Sequence, residues 1–422
     1  MREVEHLLIG GGLACATCAQ SLREGGANGE IVLVGREPDP PYNRPECSKG
    51  YLRGEESREE PLVQPQEFWS EQKVELLTRT SVTALDLDTR MAKLSDKQEI
   101  HFEKALIATG ANVRRLNVAG CELEQIHYLR TLGNSDHIRE GVADAERVVL
   151  IGGSYIGCEV AASLTMMGKQ ATIVMQEDVT LERGFGKTAG RFFQGLLESH
   201  GVTIHGSGGL ERFEGDTRAG TPSGAQAGGR VGKVVTTNGL ELETDAVVIG
   251  AGVTPDIALA KRAGLEIGER GGVLCSSRLE TSVPGVFAAG DIAEYDSPLH
   301  GTHVRIEHWD VAFNHGKTAA ANMLGGDVPH EVVPYFYSVL ADWGELEYVG
   351  PAYEWDEEIV RGSYEDANFT TWYLKDGQVK AALTFGRPDD LDAARRLIAE
   401  SPVLDEARRQ KLASLDADLA TL

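Results

Sequence analysis

Two glycine clusters are the clearest candidates for a ligand-binding role in this sequence. Residues 10–15 read Gly-Gly-Gly-Leu-Ala-Cys, and residues 152–157 read Gly-Gly-Ser-Tyr-Ile-Gly. Glycines at this spacing leave backbone N–H groups bare at a helix start, where they bind the diphosphate of a dinucleotide. One imperfect cluster is weak evidence, whereas two in one chain are strong. The sequence therefore predicts two dinucleotide sites.

Each cluster departs from the usual pattern at one position. Cys15 stands where glycine or alanine is usual, and Ser154 replaces the middle glycine. Both side chains are small, so a diphosphate can still approach the backbone closely. That one of the two units binds no nucleotide stays an open alternative.

Cysteines and histidines are the other candidates for chemistry. Cys15 and Cys18 form a C-x-x-C pattern, which is typical of redox pairs. Because they fall inside the first glycine cluster and the helix after it, we interpret them as thiols that pack this helix on a sheet. Zinc would need further ligands nearby, and none is evident. Four histidines lack tight spacing with a carboxylate, so we expect no metal site from them: His300, His303, His308 and His315.

Each glycine cluster lies in the same order of predicted elements, a strand, a helix and a second strand. In the first unit the strands are residues 4–9 and 30–34, and the helix ends near residue 23. In the second unit the strands are residues 147–151 and 171–175, and the helix ends near residue 167. The chain thus contains two βαβ units.

Other segments complete this arrangement. Residues 104–110 form a strand that ends in Ala-Thr-Gly, and residues 247–252 resemble it. Residues 281–291 form a turn and a short strand that ends in Gly-Asp. The carboxylate of Asp291 is placed to accept hydrogen bonds from a polyol, although an aspartate here could also be an ordinary helix cap.

The remaining segments differ in composition. Residues 215–232 are rich in Gly, Ala, Ser and Thr, which predicts a loose hairpin loop. After Gly325 the pattern changes to alternating, aromatic-rich strands at residues 370–374 and 379–383, followed by an amphipathic helical tail from Leu391. These residues predict a smaller α+β domain.

Composition limits the class of protein. The 422 residues carry 41 Lys and Arg against 65 Asp and Glu, a formal charge of −24. An acidic surface repels phosphate backbones and anionic lipid, so we expect no nucleic-acid or membrane role. No apolar stretch is long enough to span a bilayer, and the run at residues 4–9 is too short for a signal-peptide core. We expect a cytoplasmic protein, a monomer or a homodimer.

The order of the glycine clusters, the Ala-Thr-Gly strand and the Gly-Asp strand resembles flavoproteins with two dinucleotide-binding domains. Residues 41–52, Pro-Tyr-Asn-Arg-Pro-Glu-Cys-Ser-Lys-Gly-Tyr-Leu, narrow the resemblance. They are similar to the Pro-Tyr-x-Arg-Pro-x-x-Ser-Lys segment of oxygenase-coupled ferredoxin reductases, a family that includes putidaredoxin and rubredoxin reductases, monodehydroascorbate reductase and apoptosis-inducing-factor-like proteins. Residues 128–132, 155–159 and 304–307 also match, so the resemblance covers nearly the whole chain.

The resemblance implies an α/β fold with two Rossmann-like dinucleotide-binding domains and a C-terminal α+β domain. FAD would occupy a discontinuous domain of residues 1–112 and 245–324, NAD(P)H a domain of residues 113–244, and the third domain would be residues 325–422. The residues implied to bind FAD are Gly10, Gly12, Leu13, Ala14, Cys15, Arg36, Glu37, Arg44, Lys49, Val82, Ala108, Thr109, Gly110, Arg130, Gly290, Asp291 and Trp309. Those implied to bind the nicotinamide dinucleotide are Gly152, Gly153, Ser154, Tyr155, Ile156, Gly157, Gln176, Glu177 and Gly252.

Lys49 and Glu159 are the catalytic residues that the resemblance implies. They would lie beside the flavin ring and meet as an ion pair near the path of the hydride. A cation in this position favours the anionic reduced ring. The alternative is that they are two solvated surface charges.

The chain departs from the family at the positions that hold the two riboses. Arg36 stands where an acidic residue usually binds the FAD ribose, and the neighbouring Glu37 is the candidate to replace it. Met175 stands where an acid usually selects NADH, followed by Gln176, Glu177 and Asp178. We expect no Arg or Lys there to hold a 2′-phosphate, so NADH is favoured over NADPH.

Two further departures concern the acceptor. Cys47 replaces a usual leucine two residues before Lys49 and is either a packing residue or a redox-active thiol beside the flavin. The family's C-terminal Trp-Ser-Asp segment appears as Tyr-Ser-Val at residues 337–339. Because this segment often adjoins the flavin and the partner surface, the acceptor stays open.

The function that this resemblance implies is an NADH-dependent reductase that passes electrons through FAD to a small iron–sulfur protein, a ferredoxin or rubredoxin, for an oxygenase or cytochrome P450. Such acceptors are usually acidic, so a chain of charge −24 would need a local basic patch. The arginines of the tail are the candidates: Arg395, Arg396, Arg408 and Arg409. Two alternatives remain, a flavoenzyme that reduces oxygen, peroxide, a disulfide or a quinone, and an apoptosis-inducing-factor-like redox sensor.

Overall fold

The computed structural model describes residues 2–216 and 229–422. These residues form two compact units, each built from separate stretches of the chain. Unit 1 contains residues 1–43, 59–112 and 254–336, and unit 2 contains residues 44–58, 113–253 and 337–422. None of the helices in the described ranges is long and apolar enough to cross a bilayer.

The first part of the chain alternates short helices with strands. Its elements are β1 (Arg2–Ile9), α1 (Leu13–Glu24), β2 (Ile31–Val34), α2 (Gly50–Arg53), α3 (Gln66–Glu71), β3 (Val74–Leu77), β4 (Val82–Asp86), β5 (Met91–Leu94), β6 (Glu99–Ile107), β7 (Ala111–Val113), β8 (Ile126–Tyr128) and α4 (Leu132–Gly141).

The middle part contains the second βαβ unit. Its elements are β9 (Arg147–Ile151), α5 (Tyr155–Met166), β10 (Gln170–Val174), α6 (Glu182–Ser199), β11 (Thr203–His205), β12 (Leu210–Gly215), β13 (Val231–Thr236), β14 (Glu241–Glu243), β15 (Ala246–Ile249), β16 (Val253–Pro255), α7 (Ala258–Arg262), β17 (Val273–Cys275) and β18 (Val286–Ala288).

The last part is mainly antiparallel strands followed by helices. Its elements are β19 (Ala293–Ser297), β20 (Thr302–Val304), α8 (Trp309–Met323), β21 (Tyr335–Leu340), β22 (Gly344–Val349), β23 (Glu357–Ser363), β24 (Asn368–Lys375), β25 (Gln378–Phe385), α9 (Asp390–Glu400) and α10 (Glu406–Ala413).

Unit 1 is organised around a sheet in the order β3-β2-β1-β6-β5-β4, with β18 also paired to β6. The pairs β1–β2, β1–β6 and β6–β18 are parallel, whereas β5 and β4 add an antiparallel edge. Strand β1 is buried along its C-terminal half, as expected for the centre of a sheet covered on both faces. Because β1, β6 and β18 run parallel, the glycine turn, the Ala-Thr-Gly segment and the Gly-Asp segment all follow carboxyl ends at one sheet edge, where ligands of open α/β sheets bind.

Unit 2 contains a parallel sheet in the order β11-β10-β9-β15-β8 and a small antiparallel sheet, β12-β13-β14. Its C-terminal sheet has the order β21-β22-β25-β24-β23, and α9 packs against β25. The expected alternation is not seen in the burial of β24, because its residues 369–374 are all buried, as in a strand covered on both faces.

The structure confirms the α/β fold class and both βαβ units within one or two residues of the expected bounds. The second strand of each unit pairs with the first in parallel register, Ile9 beside Val34 and Ile151 beside Val174. Strands β12 and β13 flank the expected hairpin loop and pair in antiparallel fashion, while residues 217–228 of that loop lie outside the described residues. The three domain boundaries stay a prediction.

Candidate functional site

The first glycine turn joins β1 to α1 in unit 1. Gly10 has a φ of +136°, and a Cβ there would overlap the carbonyl oxygen of Ala108, so only glycine fits. Gly12 is the N-cap of α1, and a Cβ built on it would meet nothing within 4 Å. Gly10 is therefore required by the fold, whereas Gly12 borders open space in front of the helix start.

The second glycine turn, in unit 2, joins β9 to α5. Ser154 is the N-cap of α5, and its hydroxyl donates to the carbonyl of Gly250 (3.2 Å) instead of capping the helix. A Cβ on Gly157 would overlap the carbonyl oxygen of Gly152, so this last glycine of the pattern is needed for close packing. Serine is accepted at position 154 because its side chain turns towards β15.

Both turns fit the diphosphate of a dinucleotide. In the described part of the chain, no side chain accepts a hydrogen bond at the N-caps of α1 and α5. The first N–H groups of a helix need acceptors, and an anion at that end is also favoured by the helix dipole. A diphosphate supplies such acceptors at each of the two helix starts.

Unit 1 contains most of the residues expected to bind FAD. The structure places Gly10, Gly12, Leu13, Ala14 and Cys15 at the turn and first helical turn, Arg36 and Glu37 after β2, Val82 on β4, Ala108, Thr109 and Gly110 after β6, Gly290 and Asp291 after β18, and Trp309 at the start of α8. Their roles toward the flavin stay a prediction.

The two ribose candidates after β2 have different partners. Arg36 donates to Asp256 (2.8 Å) and to Asn112 (2.6 Å). Glu37 accepts a hydrogen bond from the hydroxyl of Tyr42. Arg36 therefore acts as a cross-link within unit 1, whereas the role of Glu37 toward the FAD ribose stays a prediction. Asp256 carries no signal in the sequence, because its role depends on a contact 220 residues away.

The thiols of Cys15 and Cys18 are fully buried on α1. Cys18 Sγ lies 3.7 Å from the sulfur of Met323 on α8, and burial raises the pKa of both thiols. The close helix approach is provided by Gly316 of α8, where a Cβ would meet the carbonyl of Ala14. The two thiols are therefore buried packing residues, as we interpreted them, but the partner of Cys18 is α8, whereas we expected a sheet. A thiolate is disfavoured there.

Three of the four histidines that we considered as metal ligands have other contacts or positions in the structure. His300 bonds to Ser297 (2.8 Å), and His315 accepts from the backbone N–H of Gly290 (3.2 Å). His308 is half-buried at the N-cap of α8. Across residues 2–216 and 229–422, no group of three or more His, Cys, Asp or Glu side chains is arranged to hold a metal.

His315 packs on His330, with ring centroids 4.4 Å apart, and both rings are buried. Burial lowers the pKa of His330 to about 4 and also lowers the pKa of His315. In the unfolded chain both would titrate near pH 6.5. Because the folded pKa values are the lower ones, the stability from keeping these rings neutral is complete above pH 6.5 and is lost as the pH falls towards 4.

We therefore expect the free energy of unfolding to fall by about 2 kcal/mol between pH 6.5 and 5.5 through these two rings, about 1 kcal/mol for each, because an unfolded ring goes from half to nearly full protonation over this interval. Urea denaturation at both pH values measures it. In His330→Gln the fall should shrink by about 1 kcal/mol, since glutamine does not titrate. An equal fall in the variant and the parent would contradict the assignment.

Unit 2 contains the other expected site residues, and two of them form a buried ion pair. The structure places Arg44 and Lys49 before α2, Arg130 after β8, Gly152, Gly153, Ser154, Tyr155, Ile156 and Gly157 at the second turn, Glu159 on α5, Gln176 and Glu177 after β10, and Gly252 after β15. Arg44 donates to the backbone carbonyl of Arg130 (2.8 Å). The structure thus brings together Arg44 with Arg130, and Lys49 with Glu159.

Lys49 and Glu159 form the centre of this unit's polar site. Lys49 Nζ lies 2.9 Å from Glu159 Oε2, and the side chains are 11% and 4% exposed. The ammonium also donates to the carbonyl of Pro45 (3.0 Å) and lies 5.9 Å from the ring centroid of Tyr337. The alternative of two solvated surface charges is therefore wrong. Two of the three N–H donors of Lys49 are used within the described residues, which leaves one for a ligand.

Two serines that we did not predict complete the site. Ser48 donates to the oxygen of Glu159 that Lys49 contacts, and Ser338 donates to the other oxygen, Oε1 (2.6 Å). Ser163 in turn donates to the backbone carbonyl of Ser48 (2.6 Å). Because both carboxylate oxygens have donors, the charge of Glu159 is stabilised despite its burial. The signal for Ser338 was present in the sequence, since it is the middle residue of the departing Tyr-Ser-Val segment.

Acidic and partly buried side chains surround the Lys49–Glu159 ion pair. Burial raises the pKa of Glu46, an effect that the Lys49 charge opposes. Burial together with the charges of Glu46 and Glu159 raises the pKa of Tyr337 to about 12. Tyr337 is therefore neutral at physiological pH, and its aromatic ring lies beside the Lys49 ammonium. Such a site can hold a cation in a fixed position and direct its remaining N–H to an electron-rich ring.

The end of β10 differs from our expectation. Met175 is buried, and its sulfur lies against Gly153, so it is a packing residue. Arg183 forms an ion pair with Glu177, and Lys187 forms one with Asp178. The expectation that no cation lies there is wrong, because the chain folds back after β10 and brings the first turns of α6 to the strand end.

Comparison with known proteins gives the family. A family model described as pyridine nucleotide-disulphide oxidoreductase matches residues 4–316, and one described as reductase C-terminal matches residues 342–422. The ferredoxin reductase subunit of 5,5′-dehydrodivanillate O-demethylase from a Sphingobium species is 32% identical over 423 residues, 100% of this chain and 99% of the relative. Putidaredoxin reductase from Pseudomonas putida is 32% identical over 398 residues, 93% and 91% of the two chains.

A solved structure agrees over the full length. The covalent putidaredoxin reductase–putidaredoxin complex superposes with a TM-score of 0.90 at 30% identity, covering 100% of this chain and 98% of that chain. These matches confirm the resemblance to oxygenase-coupled ferredoxin reductases and the expected oxidoreductase class. With both glycine turns and the C-terminal domain in place, the chain belongs to the pyridine nucleotide-disulphide oxidoreductase family.

Proposed function

We propose that this protein is an NADH-dependent flavoprotein reductase that delivers electrons through FAD to a small iron–sulfur protein, a ferredoxin or rubredoxin, of an oxygenase or cytochrome P450 system. Relatives that are about a third identical over nearly the whole chain have ferredoxin reductase functions. FAD held at the first glycine turn would supply two-electron acceptance of a hydride from NADH and release of single electrons, which a nicotinamide cannot provide. A cytoplasmic location stays a prediction from the sequence.

The observation that carries the proposal is the bond from Ser338 to Glu159. Ser338 lies on β21, which pairs with β22 in the C-terminal sheet, and the other strands of that sheet fall in residues 342–422, the region matched by the reductase C-terminal family model. Glu159 lies on α5, which follows the second glycine turn. The C-terminal sheet is thus joined directly to the charged pair. We propose that Ser338 and Ser48 hold the carboxylate of Glu159, which in turn fixes the position of the Lys49 ammonium.

Three of the four tail arginines that we considered for a basic patch lie beside carboxylates, whereas Arg408 is exposed. Arg395 pairs with Asp392 (3.0 Å), Arg396 lies 3.9 Å from Glu400, and Arg409 pairs with Glu357 (3.1 Å). Arg396 also donates to backbone carbonyls near the C-terminus. Because each of these charges is balanced locally, we propose that partner binding depends on surface fit more than on charge attraction from the tail.

The proposal is tested with the purified yellow protein, NADH and a panel of acceptors. With a [2Fe–2S] ferredoxin or a rubredoxin present, cytochrome c reduction should rise with the concentration of the iron–sulfur protein and reach a plateau. Without it, reduction should be slow. Faster turnover with peroxide, a disulfide or a quinone would contradict the proposal. A long-lived absorption beyond the oxidised flavin band after NADH addition would indicate a redox sensor instead.

The substitution Cys47→Ser distinguishes electron transfer to an iron–sulfur protein from reduction of a disulfide or peroxide by a reactive thiol. Cys47 is buried at 3% exposure in the short helix before Lys49, and the six cysteines form no disulfide. We expect the variant to retain its rate with the iron–sulfur acceptor, because serine preserves the volume of a packing residue. Steady-state rates with ferredoxin and with a disulfide substrate provide the measurement. Selective loss of disulfide or peroxide turnover would favour a catalytic thiol.

A further inference from the structure

The start of α6 contacts both the second glycine turn and the C-terminal sheet of unit 2. The backbone N–H of Leu181, the N-cap residue of α6, donates to the carbonyl of Gly153 in the turn (2.9 Å). The ring of Phe185 packs on Tyr155, the first residue of α5, with ring centroids 5.6 Å apart. The same ring packs on Tyr348 of β22 at 5.2 Å. Phe185 is fully buried, so it joins the glycine turn to the C-terminal sheet inside the core of unit 2.

A break in α6 directly after Phe185 adds a hydrogen bond to the same sheet. Gly186 has a φ of +78° and a ψ of 175°, so the helix is interrupted at this residue. The last carbonyl groups of a helical turn need donors from elsewhere. The hydroxyl of Tyr373 on β24 donates to the carbonyl of Phe185 (2.9 Å). Because both residues are fully buried, solvent does not compete for this bond.

The break fits closely against two further side chains of the C-terminal region. A Cβ built on Gly186 would lie 3.0 Å from Glu358 Oε1 and 3.2 Å from Trp355 Cζ2. Trp355 Nε1 donates to the same oxygen of Glu358 (2.9 Å), and its ring packs on Tyr373 with centroids 4.9 Å apart. A side chain at position 186 would therefore displace either the start of α6 or these neighbours.

The single helical turn of residues 181–185 is thus fixed at both of its ends. The backbone N–H of Phe185 donates to the carbonyl of Leu181 (3.1 Å), which closes the turn. Leu181 is buried and has a φ of +57°, in the left-handed region that a bulky residue rarely adopts. Strain of this kind persists where surrounding contacts hold the backbone in place. The contacts with Gly153 on one side and Tyr373 on the other are the ones that hold this turn.

We propose that Phe185 and Tyr373 are positioning residues for the nicotinamide dinucleotide. The C-terminal sheet holds the first turn of α6, and this turn holds the second glycine turn in the geometry that binds the diphosphate. When a binding geometry is populated by only a fraction of the molecules, the apparent affinity falls by that fraction. The inference rests on the proposed function only in taking the second glycine turn as a nucleotide site.

The test titrates ADP-ribose, which is the coenzyme without its nicotinamide, into the oxidised holoprotein by calorimetry. Tyr373→Phe should raise the dissociation constant about fivefold, the factor that corresponds to one buried hydrogen bond. The KM for NADH should rise with it, while the limiting rate of flavin reduction at saturating NADH stays that of the parent. A purely structural contact would lower the thermal stability and leave the affinity for ADP-ribose unchanged.

Tyr364→Phe is the matched control for the hydroxyl. Tyr364 lies in the same C-terminal region, its hydroxyl is bonded to Thr371 (2.6 Å), and its ring packs on Phe192 in the later part of α6 at 5.8 Å. This variant should bind ADP-ribose as the parent does, because its hydroxyl is not bonded to the first turn of α6.

A second pair of variants tests the same contact without removing the hydroxyl. Gly186→Ala should weaken ADP-ribose binding at least about fivefold, because the added Cβ displaces the first turn of α6 and breaks the bond to Tyr373. Gly201→Ala is its control, since Gly201 follows α6 with a similar φ of +90° and a Cβ there would meet nothing within 4 Å. It carries the backbone strain alone and should leave the affinity unchanged.

Unchanged ADP-ribose binding in Tyr373→Phe and Gly186→Ala would overturn the positioning role, and so would equal weakening in the two controls. If the parent protein does not bind ADP-ribose at millimolar concentrations, the nucleotide site of the proposed function fails together with the positioning role. The parent titration therefore distinguishes failure of the proposed function from failure of this inference, and neither measurement needs an electron acceptor.

Discussion

Replacing Lys49 with methionine is expected to lower the free energy of unfolding by about 3–5 kcal/mol, the usual cost of leaving one member of a buried ion pair without its partner. The side chain of Glu159 is 4% exposed, and within residues 2–216 and 229–422 its remaining donors would be the hydroxyls of Ser48 and Ser338. Methionine preserves much of the lysine volume, so the loss would come from the charge. Urea denaturation of the protein at pH 7.5 provides the measurement.

The double variant Lys49→Met, Glu159→Gln is the control for this prediction. With both charges removed, most of the lost stability should return, because neutral groups carry a smaller desolvation penalty than a lone carboxylate. The coupling energy between Lys49 and Glu159 should exceed that between Arg395 and Asp392. These two residues form an exposed pair on α9 that should contribute at most about 1 kcal/mol. A loss below about 1 kcal/mol in Lys49→Met would show that Glu159 is effectively solvated.

Flavin reduction should respond to the same substitutions. We propose that the Lys49 ammonium, with one N–H donor left over, stabilises negative charge on the reduced ring. Removing a donor of this kind costs about 10²–10³ in rate in other enzymes. Stopped-flow reduction by NADH in Lys49→Met should therefore be slowed, whereas the stability-restored double variant should remain slow. Recovery of the rate together with the stability would limit Lys49 to a structural role.

Gly12→Ala is expected to reduce the affinity for FAD at least about 100-fold while the protein without flavin stays folded. A Cβ on Gly12 would meet nothing within 4 Å in the protein, and the φ of −104° suits alanine. The methyl group would fill the space in front of α1 that a diphosphate needs. Loss of two hydrogen bonds to a charged group, at about 1.5 kcal/mol each, corresponds to about 100-fold.

Gly10→Ala is the matched comparison. Its Cβ would overlap the carbonyl of Ala108, and its φ of +136° is unfavourable for alanine, so this variant should lose stability even without flavin. Flavin titration and thermal unfolding of the flavin-free proteins separate the two glycines. Wild-type flavin affinity in Gly12→Ala would show that no diphosphate lies against this turn.

The βαβ units and the glycine turns were predictable because their signals are local. A strand, three glycines and an amphipathic helix lie within about 25 residues, and diphosphate binding requires their spacing regardless of the rest of the fold. The bounds of β9 agree with the expected strand to the residue. The pairing of Lys49 with Glu159 followed only from family resemblance, since no local rule connects residues 110 apart.

Local patterns in the sequence were enough to predict the two dinucleotide-binding units, the mixed α/β class and the positions where the family's acids are missing. Which side chains compensate depends on the fold: Ser338 reaches Glu159 across 179 residues, and Arg183 reaches Glu177 because the chain reverses after β10. Such partners depend on through-space distance, which composition and periodicity do not encode. Side chains that bond to a buried or repositioned charge are therefore identified from the structure and not from the sequence, although they decide how the site works.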